Sequence, residues 1–431
     1  MQTHFPPALL KNPDMEQSEK ILRACVHCGF CTATCPTFLL TGDELDSPRG
    51  RIYLIKEMLE NDRPADARIT RHLDRCLSCL GCMTTCPSGV NYMHLVDHAR
   101  AHVEETYTRP IGERALRSAL AFVLARPVWF RLGLRLSALL RPLQGLLPQR
   151  LAAMLALAPR ETPPASSVDR PQIFPAQGAR RLRVALLNGC AQQALDPAIN
   201  EATVRLLTRF GVEVVVTEGA GCCGALAHHL GKTEASHDHA AHNIEAWMRE
   251  IEAGGLDRIV INTSGCGTTV KDYGFMFRDD PQRAKAAAHI ASITRDVSEV
   301  LAELEIDWPR AAPKLRVVYH AACSLQHGQK ITQAPLALLE AAGFEALIVP
   351  EGHICCGSAG TYNLLQPELA EALRKRKVAN IEPLSPDAVV AGNLGCITQI
   401  AAGTNLPVLH LVELLDWASG GPKPAKLLSG A

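Results

Sequence analysis

Eight of the sixteen cysteines lie in two short runs with the same spacing near the amino end of the chain. One run extends from Cys25 to Cys35 and the other from Cys76 to Cys86; a proline follows each, so both read C-x2-C-x2-C-x3-C-P. In bacterial two-cluster proteins with this spacing, the first three thiolates of a run bind one [4Fe-4S] cluster and the fourth binds the other. The spacing therefore predicts a pair of [4Fe-4S] clusters.

The crossed arrangement assigns four ligands to each cluster. The predicted ligands of cluster 1 are Cys25, Cys28, Cys31 and Cys86, and those of cluster 2 are Cys76, Cys79, Cys82 and Cys35. Tetrahedral zinc is disfavoured because a third cysteine directly after a C-x2-C pair has no place in a four-ligand site. Disulfides are disfavoured because the amino-terminal residues do not resemble a secretion signal.

Composition narrows the class of protein further. Lysine plus arginine equal aspartate plus glutamate at 44 each in 431 residues, so no net positive charge favours nucleic acid. No apolar run approaches the roughly 18 to 20 residues that span a bilayer. Many cysteines without a secretion signal indicate a reducing compartment, and we expect a cytoplasmic protein.

A second duplication carries the other eight cysteines. Cys190 precedes a Cys-Cys-Gly triplet by 32 residues, Cys323 precedes another by the same 32, and one further cysteine closes each copy. The candidate metal ligands are Cys190, Cys222, Cys223 and Cys266 in the first copy, and Cys323, Cys355, Cys356 and Cys396 in the second.

Short β-branched runs precede these cysteines and predict parallel strands. The runs are 182–187, 212–216 and 259–261 in the first copy, and 315–319, 346–349 and 388–390 in the second. Each copy is therefore expected to gather its cysteines at the carboxyl ends of its strands as a metal or redox site, where a helix beginning after each Cys-Cys-Gly would favour thiolate. His320 and His353 lie near enough to tune such a site by hydrogen bonding. The alternative is that these cysteines are small core residues.

Two other patterns have competing interpretations. Residues 219–224 spell the dinucleotide fingerprint G-x-G-x-x-G, but the second copy keeps the cysteines and loses the middle glycine, so we reject nucleotide binding. Ser47-Pro48 predicts a helix start. Arg49 and Arg51 in its first turn either face a cluster or an anionic partner, or are solvated.

The segment 111–160 differs from the rest of the chain in holding eight arginines, one glutamate and no lysine among leucines and alanines. Its prolines predict short helices. A basic, apolar surface of this kind either lies on an anionic membrane or packs on a partner subunit. Residues 159–178, with five prolines, are expected to form a linker.

The fold class predicted is α+β multidomain: an α-helical two-[4Fe-4S] ferredoxin domain followed by two duplicated α/β domains with mostly parallel sheets. The expected boundaries are 1–108 for the ferredoxin-type domain, 109–180 for the basic helical segment and linker, and 181–306 and 307–431 for the two cysteine-rich domains.

With these motifs in place, nearly the whole chain resembles the family of iron-sulfur subunits of bacterial glycolate oxidase (glycolate dehydrogenase). The matching stretches include 22–36, 48–56 and 355–362. The resemblance implies flavin-containing subunits that oxidise glycolate to glyoxylate, and an iron-sulfur chain that passes the electrons to a quinone or other membrane acceptor. No catalytic residue is assigned to this chain. A cytoplasmic protein, peripheral on the inner face of the inner membrane, would fit.

Other functions remain open at the level of sequence. They are a subunit of a related 2-hydroxy acid or glycerol-3-phosphate dehydrogenase, and a thiol/disulfide enzyme similar to heterodisulfide reductase. The chain departs from the heterodisulfide reductase pattern because Cys266 and Cys396 each lack a second cysteine three residues later. Four cysteines, rather than five, remain in each copy.

Overall fold

The amino-terminal region is built from helices in the computed structural model, which describes residues 1–428; residues 429–431, the end of the predicted second cysteine-rich domain, lie outside it. The first six helices are α1 (Pro13–Ala24), α2 (Pro36–Thr41), α3 (Pro48–Glu60), α4 (Ala67–Asp74), α5 (Gly81–Thr84) and α6 (Tyr92–Thr106). The start of α3 is confirmed: the Ser47 hydroxyl accepts the Gly50 N–H at 2.9 Å, with Pro48 at the first helical position.

Three further helices form the basic segment, as its prolines predict. They are α7 (Ile111–Leu124), α8 (Pro127–Leu140) and α9 (Gln149–Leu157). Pro127 occupies the first turn of α8, and Pro110 and Pro148 precede α7 and α9. Across residues 1–428 none of the helices combines the length and the apolar character that a membrane span requires.

The first α/β unit has a five-stranded sheet in the order β1-β3-β2-β4-β5. Its strands are β1 (Gln172–Phe174), β2 (Leu182–Leu186), β3 (Val212–Val216), β4 (Arg258–Ile261) and β5 (Thr294–Asp296). Its helices are α10 (Ala191–Leu195), α11 (Ala198–Arg209), α12 (Ala225–His229), α13 (Thr233–Gly254), α14 (Ser264–Lys271), α15 (Tyr273–Met276), α16 (Ala284–Ile293) and α17 (Val297–Glu303). The stretch predicted as a linker thus contributes β1, which pairs antiparallel with β3; the other pairs are parallel.

The second unit has a four-stranded, all-parallel sheet in the order β7-β6-β8-β9. Its strands are β6 (Arg316–His320), β7 (Glu345–Ile348), β8 (Ala388–Ala391) and β9 (Val408–His410). Its helices are α18 (Ala334–Ala341), α19 (Tyr362–Leu365), α20 (Pro367–Ile381), α21 (Leu394–Ala401) and α22 (Leu411–Ala418). The predicted fold class, a helical region followed by duplicated α/β units with mostly parallel sheets, is confirmed.

The two sheets share a hydrophobic core. Val184 of β2 and Val318 of β6 belong to the same buried cluster, which continues into α11 and α22. On the other side, the end of β4 meets the end of β8: the Ser264 N–H donates to the Gly392 carbonyl at 3.2 Å. The carboxyl edges of the two sheets therefore face each other, and the loops that follow their strands meet between the units.

Candidate metal centres

The eight amino-terminal cysteines surround two neighbouring cavities. Cavity A is lined by Cys25, Cys28, Cys31, Cys86 and Cys82, and cavity B by Cys35, Cys76, Cys79 and Cys82. All sixteen cysteines lie within the described residues and are free thiols. At least four thiols line each cavity, and four thiolates are the donor set that a [4Fe-4S] cluster requires.

The backbone of both cysteine runs contains left-handed residues at matched positions. His27 and Ser78 have φ of 58° and 49°, and the residues two places later, Gly29 and Leu80, have φ of 85° and 62°. The two runs therefore follow the same path around their cavities. In the second run, the residue at the position of Gly29 is Leu80. Gly81 follows it and is the first residue of α5.

Arg51 lies beside cavity B in the interior. Its side chain is 1 % exposed, and its guanidinium donates to the Cys35 Sγ at 3.8 Å, the Thr37 hydroxyl at 3.0 Å and the His72 carbonyl at 2.7 Å. Burial disfavours its charge, but Cys76 and other nearby groups outweigh burial and raise the pKa of Arg51. Of the two sequence interpretations, the cluster-facing one describes Arg51.

Arg49 lies at the solvent-facing rim of cavity A. Its Nε pairs with Glu44 at 2.7 Å, and the arginine side chain is 35 % exposed. Its guanidinium also approaches Gly29, where an added Cβ would lie 2.7 Å from Nη1. Arg49 is therefore partly solvated and also faces the cavity.

The first thiol group is defined as Cys190, Cys222, Cys223 and Cys266. The structure brings these four together where β2, β3 and β4 end, the edge expected from the sequence. Hydrogen bonds from the Cys190 and Cys223 thiols hold the pKa of Cys222 well below its usual range. The Cys190 pKa is raised by its bond to Cys222 and by burial.

The second thiol group is defined as Cys323, Cys355, Cys356 and Cys396, at the ends of β6, β7 and β8. The Cys323 and Cys355 sulfurs are 3.5 Å apart, and the Asn393 amide donates to the Cys396 sulfur at 3.4 Å. One candidate ligand atom of His320 lies within 4.8 Å of the sulfurs of Cys356 and Cys396. Each thiol group can hold a metal or an iron-sulfur centre.

The glycine of each Cys-Cys-Gly is required by its backbone. Gly224 and Gly357 have φ of 87° and 92°, and their N–H groups donate to the sulfurs of Cys222 and Cys355 at 3.5 Å and 3.4 Å. A Cβ would lie 2.7 Å from the Ser236 carbonyl oxygen in the first unit and would clash similarly in the second. The glycine thus directs its N–H at the sulfur of the first cysteine in the triplet.

The expectation of a helix directly after each Cys-Cys-Gly is correct for the first unit only. Helix α12 begins at Ala225. In the second unit the chain makes turns after Gly357, including Ala359 at φ 44°, and α19 begins at Tyr362. A helix N-terminus therefore does not favour the thiolate form of Cys355 and Cys356.

Cavity B and the second thiol group are neighbours, a juxtaposition that the sequence did not predict. Cys79 lies near both Cys323 and Cys355: Cys323 adds to the raised pKa of Cys79, and Cys79 adds to the raised pKa of Cys355, after the larger effect of burial on each. Leu77 and Ile354 pack in one buried cluster that includes Cys355, with Cys79 and Cys323 against it. One of the two cavities of the ferredoxin-like region therefore lies next to the second α/β unit.

Both thiol groups open into one apolar cavity of about 500 Å³, the shared cavity. Its other walls come from α7, α8 and α9, with leucines such as Leu120, Leu134 and Leu155. His229 also lines it, and the His229 Nδ1 is buried with no hydrogen-bond partner in residues 1–428. The basic segment thus covers the place where the two groups meet.

Comparison with known proteins agrees with this architecture. Residues 21–90 match the family described as "4Fe-4S dicluster domain", and residues 184–271 and 317–401 each match "Cysteine-rich domain". The chain is 42 % identical to the "Glycolate oxidase iron-sulfur subunit" of Escherichia coli (strain K12), over 97 % of this chain and 99 % of that one.

Two further similarities extend the comparison. The "Probable glycolate oxidase iron-sulfur subunit" of Bacillus subtilis (strain 168) is 31 % identical over 94 % of this chain and 95 % of its own. A hypothetical protein from Helicobacter pylori has a crystal structure that matches with a TM-score of 0.52, covering 97 % of this chain and 78 % of that one. At 13 % identity, that match shows a shared fold alone.

Proposed function

Because the chain belongs to the family of glycolate oxidase iron-sulfur subunits, we propose that it takes electrons from a flavin-containing subunit that oxidises glycolate to glyoxylate and passes them to a quinone. The observation that carries this proposal is the pair of cysteine-lined cavities in a chain that matches these subunits over 94 % or more of its length. Clusters bound there supply one-electron redox chemistry.

The proposed ligands follow the crossed pattern of the sequence. Cys25, Cys28, Cys31 and Cys86 would hold cluster 1, and Cys76, Cys79, Cys82 and Cys35 would hold cluster 2. Support comes from the cavities, since each predicted set lines one of them. Cys82 lines both, as expected of a residue between two adjacent sites.

The direction of transfer is proposed from the order of the sites. Cavity A lies at the surface, where Val26 and Phe30 are 67 % and 63 % exposed beside its cysteines. Cavity B is deeper and adjoins the second thiol group, which opens into the shared cavity. A flavin subunit would therefore dock at cavity A, and the acceptor would enter the shared cavity.

The walls of the shared cavity suit a quinone. About 500 Å³ of mostly apolar space matches the usual size and polarity of small-molecule sites. The unpartnered His229 Nδ1 offers a hydrogen-bonding atom for a ring oxygen. Burial lowers the pKa of His229 to about 4, so the imidazole is neutral at pH 7 and one of its two nitrogens carries a proton.

The experiment is to purify the complex with and without this chain and to measure glycolate-dependent reduction of a short-chain quinone. We expect the activity to be lost when the chain is omitted, and also when Cys82, between the two cavities, is changed to serine. Thr85→Ser, a neighbouring substitution that leaves every cysteine in place, is the matched control. Undiminished quinone reduction without this chain would refute the proposal.

The basic segment is proposed to lie on the cytoplasmic face of the inner membrane, where a quinone would be available. Its outer face exposes Val128, Leu139 and Leu146 at 79 %, 75 % and 83 %. Trp129, on the same helix as Val128, is 51 % exposed. Apolar side chains beside arginines are the composition of a surface that binds anionic lipid.

Flotation of the full chain with vesicles tests this membrane contact. We expect binding to phosphatidylcholine vesicles that contain phosphatidylglycerol, and a several-fold loss of binding in Leu139→Asp. Ile348→Asp is the matched control, because Ile348 is 71 % exposed at the end of β7, outside the basic segment. Equal flotation of both variants, or none by the unmodified chain, would favour packing on a partner subunit.

A further inference from the structure

The two thiol groups differ in what surrounds them, although their cysteines are duplicated. His320 ends β6, three residues before Cys323, and Leu187 occupies the same place before Cys190. Lys377, on α20, corresponds to Ile244 on α13 at the same offset of 133 residues. At these two positions the second unit therefore has a potential ligand and a cation, and the first unit has apolar side chains.

His320 has the environment of a metal ligand. It is 1 % exposed, and neither of its ring nitrogens has a hydrogen-bond partner in residues 1–428. A buried imidazole nitrogen without a hydrogen-bond partner is unfavourable, because it has lost its contacts with water and gained none in the protein. One of its nitrogens shares a space no more than 4.8 Å across with the sulfurs of Cys356 and Cys396. Coordination of a metal would satisfy that nitrogen.

Lys377 is a second buried polar group of this unit. Its side chain is 2 % exposed, and its ammonium donates to the Glu351 carbonyl at 2.9 Å. Burial lowers the pKa of Lys377, and the nearby sulfurs oppose that lowering only in part. Metal-bound thiolates would supply compensating negative charge for a buried ammonium, but the proposal below depends on the geometry of His320 and the cysteines.

From these observations we propose that His320 is the fifth ligand of a thiolate-bound iron-sulfur centre in the second unit, where it replaces the missing fifth cysteine. The other ligands are Cys323, Cys355, Cys356 and Cys396. The donors form two close sets, the 3.5 Å pair of Cys323 and Cys355 and the trio of His320 with Cys356 and Cys396, which suits more than one iron atom. Soft thiolates with an imidazole are a donor set for iron.

This inference rests on the proposed electron-transfer function in one respect: that function gives the centre a role. Cavity B adjoins Cys323 and Cys355, so the centre would lie next to cluster 2. The first unit, with Leu187 in place of the histidine, would bind no equivalent five-ligand centre.

The test measures iron, acid-labile sulfide and zinc in the anaerobically purified full chain. Two cubes account for about eight irons, and we expect additional iron and sulfide above that number. His320→Leu, which introduces the residue of the first unit, and Cys356→Ser should both lower the additional iron and sulfide. His353→Leu is the matched control and should retain them.

A second measurement does not depend on the folding of a variant. Pulsed EPR of the unmodified chain labelled with ¹⁵N-histidine should show strong nitrogen coupling from a directly bound imidazole. Absence of that coupling, unchanged iron in His320→Leu, or zinc without additional sulfide would each overturn the proposal. All three outcomes are independent of glycolate-dependent quinone reduction, so they are distinguishable from failure of the proposed function.

Discussion

At the scale of single residues, Asp46 and Arg51 form a buried charge network beside cavity B. The Asp46 carboxylate is fully buried and pairs with Arg75 at 2.7 Å, His72 at 2.8 Å and Arg51 at 3.6 Å. Its carbonyl accepts from the Thr37 hydroxyl at 2.8 Å. The network ties three separated segments to the loop that carries Cys35.

Removing the Arg51 guanidinium should therefore be costly. We expect Arg51→Leu to lower the free energy of unfolding by about 3 kcal/mol, because it leaves Asp46 and the His72 carbonyl with buried, incomplete partners. Urea unfolding under anaerobic conditions, followed by circular dichroism, measures the change. Arg49→Leu is the control and should cost less than about 1 kcal/mol, since the pair of Arg49 and Glu44 is exposed. Equal stability of Arg51→Leu and the unmodified protein would contradict this account.

At the scale of elements, α3 is packed tightly against the turn that precedes it. A Cβ on Gly50 would lie 2.0 Å from the Glu44 carbonyl oxygen and 2.8 Å from the Leu45 Cα. Both contacts are with backbone, which cannot rotate away as a side chain can. The first turn of α3, which carries Arg49 and Arg51 to the two cavities, therefore depends on glycine at this position.

Gly50→Ala should lower the free energy of unfolding by about 3 kcal/mol or more, because the backbone of the turn or of α3 must shift. Gly112→Ala provides the matched control: it is also in the first turn of a helix, α7, but an added Cβ meets no atom within 4 Å. That change should leave stability within about 1 kcal/mol and favour the helix. Thermal unfolding of the two variants, measured in parallel, tests this prediction. Similar midpoint temperatures would show that the backbone around Gly50 accommodates the added Cβ at little cost in stability.

At the scale of the whole molecule, α6 joins the ferredoxin-like region to the first α/β unit through charged pairs. The Asp97 carboxylate meets the His228 Nε2 at 3.1 Å, and Glu104 meets Lys232 at 2.8 Å. His228, the first of five histidines between residues 228 and 242, therefore lies in the interface between the two regions.

The pair of Asp97 and His228 predicts a pH dependence. Burial opposes both charges, but each partner outweighs it, so the pKa of Asp97 falls to about 2 and that of His228 rises above 6.5. Stability from the raised histidine pKa is present below pH 6.5 and is lost as pH rises through that higher pKa. Stability from the lowered aspartate pKa is present above pH 3.8 and is lost as pH falls towards 2.

We therefore expect His228→Asn to have a lower free energy of unfolding than the unmodified chain at pH 6. The free energy of unfolding of the unmodified chain should fall as pH rises through the His228 pKa, and that of His228→Asn should not. Asp97→Asn should lose roughly 2 kcal/mol at pH 6. Urea unfolding at a series of pH values measures both, with the exposed His242→Asn as the control. A decline in His228→Asn as steep as in the unmodified chain would rule out this pair as its source.

The sequence alone determined the features that depend on spacing within one segment. Matched cysteine intervals identified two cluster-binding runs and a duplicated unit, and β-branched runs located the strands before Cys190, Cys222 and Cys266. The edge strand β1 was missed because three residues in a proline-rich stretch carry no periodicity. It exists because β3 offers a free edge, and that pairing is a tertiary contact.

Only the tertiary structure decided which sites are neighbours and which side chains are buried beside them. The proximity of Cys79 to Cys323, the opening of both thiol groups into one cavity, and the approach of His320 to Cys396 all involve residues distant in the chain. Local propensity and spacing hold no information about such contacts, because they are set by how the three regions pack. A lysine in a helix is expected to be solvated from the sequence, and only packing shows that Lys377 is buried with its ammonium on the Glu351 carbonyl.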